Sequence, residues 1–136
     1  VTIKWNDKNV SFDGYLDSGN HLVDPLTQKP VIVIDESVLS EFFTVIELER
    51  LRGLKEQLLS GQQDDDLSKM FSIIPYQGVN GMTDFMIGFK PDLFMITTDK
   101  GIYKTKRVLI GIQFGRLVAD NSYQCLLHPK LIQHVG

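Results

Sequence analysis

Apolar positions along the chain recur first at period two, then at helical spacing, then at period two again. Val1, Ile3 and Trp5 alternate with Thr2 and Lys4, the pattern of a half-buried strand. Asn6-Asp7-Lys8-Asn9 is turn chemistry. Val10, Phe12 and Leu16 then continue on a returning strand, expected to run straight into Asp17. After a loop from Asn20 to Pro25, Pro30-Val31-Ile32-Val33-Ile34 is a continuous apolar run dense in β-branched residues, which suits a strand covered on both faces.

Val38, Leu39, Phe42, Phe43 and Ile46 fall at helical spacing, with Asp35 or Ser37 as N-cap. Leu48, Leu51, Leu54, Leu58 and Leu59 extend the stripe towards Gly61, expected at the C′ position. Gly53 costs about 1 kcal/mol relative to Ala inside a helix, so one helix and two helices with a break are both open. Gln62 to Asp66 is an acidic loop whose adjacent carboxylates lack the spacing of a calcium loop.

From Met70 the β pattern returns. Phe71, Ile73 and Ile74 lead into a glycine-bearing tip, and Phe85, Met86, Ile87 and Phe89 lead out, which predicts a long hairpin. Its tip, Gly78-Val79-Asn80-Gly81, reads either as an ordinary bulged turn or as a mobile flap whose glycines let the backbone lie against a substrate. Phe94-Met95-Ile96 and Val108 to Ile112 are expected as strands joined around the turn Asp99-Lys100-Gly101, with Lys100, Lys104, Lys106 and Arg107 giving that hairpin a basic face. A last strand is expected from Tyr123 to Leu127, and a short helix from Lys130 to Val135 after His128-Pro129.

The 136 residues suit one domain, and 43% hydrophobic and 23% charged content is ordinary for a soluble globular chain. No apolar run approaches a membrane span and no signal-peptide pattern opens the chain. The first residue is Val rather than Met, so an excised domain is expected, with a membrane anchor among the parts that could lie outside it. The single cysteine, Cys125, rules out an internal disulfide. Residues 35–66 hold nine acids against three bases, which leaves the remainder of a chain of net charge −3 mildly basic. That asymmetry predicts an acidic helical insertion, about residues 36–66, in a β body, and it argues against a general nucleic-acid binder.

Most catalytic chemistries lack their residues. There is no Gly-x-Ser-x-Gly, no phosphate-cradling loop, and Cys125, His21, His128 and His134 are too scattered for a zinc site, so neither metal nor cofactor is expected. Asp17-Ser18-Gly19 remains. Asp-[Ser/Thr]-Gly arises by chance in roughly one chain of this size in fifteen, and an Asx or β-turn is its plain alternative. As chemistry, a carboxylate at a strand end can be half of an acid–base dyad for peptide hydrolysis, because two carboxyls in contact share one proton. Ser18 could lock its loop to a partner loop, and Gly19 permits a sharp turn. With one Asp-Ser-Gly in the chain, the dyad needs a two-fold axis and hence a homodimer.

Gly14-Tyr15-Leu16-Asp17-Ser18-Gly19-Asn20-His21-Leu22-Val23-Asp24-Pro25, with Lys29-Pro30-Val31-Ile32-Val33 and the late Cys125-Leu126-Leu127-His128-Pro129-Lys130, closely resembles the sporulation sigma-E factor-processing peptidases of spore-forming bacilli. The resemblance covers most of the chain. It implies the cytosolic catalytic domain of a membrane-embedded aspartic protease whose multi-span amino-terminal region is absent here. It further implies a sigma-factor precursor as substrate, and a forespore signal that triggers removal of its pro-sequence. The family is itself similar to retroviral proteases, which implies a mainly β, retropepsin-like closed fold with an inserted helical segment, and a flap around Gly78 and Gly81. Retroviral proteases carry two apolar residues and a glycine before their final helix; Leu126-Leu127-His128 is taken as the equivalent here, although Val108-Leu109-Ile110-Gly111 keeps the glycine. The rival readings are a non-catalytic β module that retains the fold for peptide binding or dimerisation, and a ligand-binding β-barrel with an enclosed apolar pocket.

Overall fold

The computed structural model describes residues 1–63, 65–78 and 80–132, and the chain is mainly β. Strands β1 (Thr2–Trp5) and β2 (Lys8–Ser11) form a hairpin around Asn6 and Asp7, both at positive φ (53° and 63°), as a primed two-residue turn requires. The returning strand does not run into Asp17. It breaks at Phe12 and Asp13, and the chain crosses to another sheet as β3 (Gly14–Leu16). The break is stable because its peptide groups find other partners: Phe12 N–H donates to Val1 O at 2.9 Å, while Asp13 exchanges hydrogen bonds with Gln124 at 3.2 and 3.0 Å.

Strand β4 (Val31–Asp35) is buried throughout, as its unbroken apolar run requires. Asp35 then caps α1 (Glu36–Leu39), its side chain accepting from Ser37 N–H. The helical spacing from Val38 to Ile46 does not make one helix. A capping box restarts the chain at Thr44, whose hydroxyl accepts from Glu47 N–H at 3.2 Å while the Glu47 carboxylate accepts from Thr44 N–H at 2.9 Å. Phe42 and Phe43 are buried in the intervening turn, and Ile46, in α2 (Val45–Arg52), is exposed. Gly53 separates α2 from α3 (Leu54–Leu59), so the break falls where expected, but with α1 the stretch makes three short helices rather than one or two, and Gly61 follows at φ 82°. Of the acidic loop, Asp65 caps α4 (Asp66–Lys69) and pairs with Arg50; Asp64 lies outside the described residues.

The long hairpin is present as β5 (Ser72–Gln77) and β6 (Thr83–Phe89), in register from Ser72 opposite Gly88 to Gln77 opposite Thr83. Strand β7 (Leu93–Thr98) turns at Asp99-Lys100, but its hairpin partner is β8 (Gly101–Thr105), not the strand at Leu109. The Gly101–Thr105 stretch, with Lys104, is an edge strand, where little apolar content is needed. The apolar run expected after the turn becomes β9 (Leu109–Gln113), in the other sheet. The last strand, β10 (Cys125–Leu127), starts later than expected, and α5 (Pro129–Ile132) starts a residue earlier than expected; the rest of the expected helix, 133–135, lies outside the described residues.

The order β2-β1-β7-β8 makes a four-stranded antiparallel sheet, and β3-β10-β4-β9-β6-β5 a six-stranded mixed sheet in which β3 and β10, and β4 and β9, run parallel. Trp5 joins the core between them. It stacks on Phe89 with ring centroids 3.6 Å apart and meets Phe42, Phe43 and Phe71 edge-on. No helix among the described residues is long and apolar enough to cross a membrane.

Candidate active site

Asp17 follows directly on β3, and the parallel pairing of β3 with β10 decides where it stands. Tyr15 lies opposite Leu126 and Leu16 opposite Leu127, so the Asp17 N–H reaches the Leu127 carbonyl at 3.4 Å. Leu126-Leu127-His128 therefore backs the Asp17 loop, whereas Gly111 sits in mid-strand between Val33 and Gly88. At Gly111 an added Cβ would collide with the Met86 thioether, a packing reason for that glycine.

The turn reading of the tripeptide is realised alongside the cleft. Asn20 N–H donates to Asp17 O at 3.0 Å, and Gly19 N–H donates to Asp17 Oδ1 at 3.0 Å. An added Cβ at Gly19 would lie 3.4 Å from Asp17 Oδ1, so glycine keeps the flank of the carboxylate clear. Asp17 is half-buried and Ser18 exposed. Beneath them Asn20 is buried, its Nδ2 donating to Val31 O at 3.1 Å and its Oδ1 accepting from Leu22 N–H at 3.0 Å. These two bonds tie the loop to the central strand β4. Asp24, also buried, accepts from the Thr27 N–H at 3.0 Å and hydroxyl at 2.6 Å, which closes the loop before Pro30.

His128 is buried. Its Nδ1 accepts from Lys130 N–H at 3.1 Å, while Nε2 has no hydrogen-bond partner among the described residues. Burial, and then the charges of Lys130 and His21, hold its pKa below 6.5, so the imidazole is kept neutral at the start of α5. Burial pushes the Cys125 thiol far up, which removes it as a nucleophile.

In front of Asp17 opens a cleft of about 630 Å³. It is lined by Asp17, Gly19 and His21, by the apolar Leu22, Val33 and Leu126, and by the turn-proximal end of the β5–β6 hairpin through Pro75, Tyr76, Gln77 and Thr83. The hairpin tip itself lies beyond this lining. Gly78 and Asn80 border a further depression that shares Tyr76 and Thr83 with the cleft, and Gly81, at φ 77°, closes the turn by donating to Gly78 O at 3.0 Å. Val79 lies outside the described residues. Tyr76 was not singled out from sequence, and Leu22, Val33 and Asn20 stood there only as members of a motif, not as site residues. For Asn20 a signal existed, since it follows directly on Asp-Ser-Gly where a side-chain amide can bridge backbone groups. Among the described residues no group of three His, Cys, Asp or Glu could hold a metal ion.

Fold and site together define a mainly β domain that presents one half-buried carboxylate, held in a turn, over an apolar cleft walled by a hairpin. The family model described as sporulation factor SpoIIGA, peptidase U4, matches residues 1–131, and the chain belongs to that family. It is 30% identical over 132 residues to the sporulation sigma-E factor-processing peptidase of Priestia megaterium, covering 97% of this chain and 43% of that one. To the protein of the same name in Bacillus subtilis it is 36% identical over 122 residues, covering 88% and 39%. The chain thus spans about two fifths of the length of these relatives. No solved structure matches it.

Proposed function

We propose that this chain is the catalytic domain of an aspartic endopeptidase that removes the pro-sequence from a sporulation sigma-factor precursor. Each of two chains lends one Asp17, and the pair shares a proton: one carboxylate takes a proton from water while the other gives one to the scissile carbonyl. The observation that carries the reading is Asp17 itself, half-buried at the head of the cleft with its loop fixed from behind by β10 and Asn20. Supporting it, β3 is an edge strand, and Tyr15 and Leu16 beside Asp17 are 53% and 44% exposed. An exposed apolar edge is a pairing surface. A retropepsin-like dimer would bring these edges and both carboxylates together on its axis.

A substrate lying extended in the cleft would hydrogen-bond as an added strand beneath the β5–β6 hairpin. The remaining length of the relatives leaves room for an amino-terminal membrane anchor, with this domain on the cytoplasmic, mother-cell side and a forespore signalling protein acting through the full-length protein. The test is co-production with the precursor. Wild type should convert the precursor to its shorter form and Asp17→Asn should not, and the Asp17 carboxyls should lie within hydrogen-bond reach in the dimer. Conversion by the Asp17→Asn protein would end the reading.

A further inference from the structure

A second cleft, of about 450 Å³, opens beside the first and shares Leu22, Val33, Tyr76 and Leu126 with it. The four shared residues line both clefts, so the two adjoin. The outer wall of the second is not part of the β body: it is the helical segment, through Arg52, Lys55 and Glu56 of α2 and α3. The inner wall is apolar and soft, with Phe85, Met86 and Phe114. Two rim cations are already engaged. Arg52 donates twice to Glu36 Oε1, at 3.0 and 2.6 Å, and Lys55 Nζ lies 4.0 Å from Asp84 Oδ1. With both cations paired, Glu56 is the one lining charge without an ion pair among the described residues, so the rim offers no free cation to an acidic ligand group.

We infer that this second cleft is a specificity subsite that takes one bulky apolar side chain of the peptide bound at Asp17, and that the helical segment exists in part to wall it. The identity of the occupant rests on the peptidase reading; the subsite itself rests on the two adjoining clefts. A large aromatic side chain brings roughly 150–250 Å² of surface to bury, and a cleft lined by Leu126 and Val33 and flanked by a flexible thioether can accept it without a charged partner. Binding energy gathered there fixes the register of the peptide over Asp17.

The test separates binding from hydrolysis. Asp17→Asn protein is incubated with a randomised octapeptide mixture, and retained peptides are sequenced by mass spectrometry. Bulky apolar residues should be enriched about ten-fold over Ala at one position, the discrimination apolar pockets reach. Glu56→Trp and Gln113→Trp each fill the cleft, from opposite walls and from exposed positions, and should cut that enrichment to within about two-fold. No positional enrichment, or enrichment that survives both fillings, overturns the subsite. Enrichment without precursor conversion by the full-length, Asp17-intact protein keeps the subsite and removes the catalytic reading. Conversion without positional preference does the reverse.

Discussion

Two regions of the molecule fix their residues by different means. Around Trp5, ring packs on ring: Phe42, Phe71 and Phe89 are buried, and position follows from close packing alone. Around Asp17, position follows from hydrogen bonds. Asn20, Asp24 and His128 are buried polar side chains, each with a named backbone partner, and large apolar groups such as Tyr15 and Leu16 face outwards. The first arrangement fills space and leaves nothing free to react. The second holds a loop from behind while leaving its front open, as a site needs. Stability and activity should therefore separate on mutation.

The sharpest break is Asp17→Asn. Asn keeps an oxygen for the Gly19 N–H, so the thermal midpoint should stay at the wild-type value. Precursor cleavage should fall by about a thousand-fold or more, roughly 4 kcal/mol of barrier. Trp5→Ala should act in the opposite sense. Emptying the centre of four aromatic contacts costs about 3–5 kcal/mol in urea unfolding, and whatever protein stays folded should retain its turnover per folded molecule. A smaller change couples the two regions. Asn20→Ala leaves the Val31 carbonyl and the Leu22 N–H without their buried partner, for about 2 kcal/mol. Because those bonds hold the Asp17 loop, cleavage should fall further than the folded fraction. Cleavage that merely tracks the folded fraction would show that Asn20 serves stability alone.

What could be read in advance follows the same division. The all-buried β4, the Asp35 cap, the Gly53 break and the β5–β6 hairpin are local consequences of residue type, and each was legible. The expected helix through Ile46 failed because a capping box at Thr44 and the aromatic demand of Trp5 outweighed spacing. The crossing of the chain between sheets at Asp13 depends on Gln124, more than a hundred residues away, and no local pattern encodes it. Asp17 was legible as a candidate, and it lines the cleft. Its support by β10 was legible only through likeness to a family. The wall that the helices build beside Leu126 was not legible at all, since it depends on how distant elements close on one another.

The smallest expected effect concerns pH and sits at His128. Burial first, then the charges of Lys130 and His21, hold its folded pKa below 6.5. The unfolded chain takes up a proton on this residue as pH falls through 6.5, while the folded chain does not. Stability contributed by the neutral, buried imidazole is therefore complete above 6.5, declines as pH drops below it, and levels off once the lowered folded value is passed. His128→Asn keeps an acceptor for the Lys130 N–H and removes the titration. Urea midpoints of wild type and variant should therefore converge as pH is lowered from 7.5 towards 5, with the variant the flatter of the two. Parallel curves would mean that the proton is accommodated in the fold, and that the polar scaffold behind Asp17 is looser than the aromatic core it is set against.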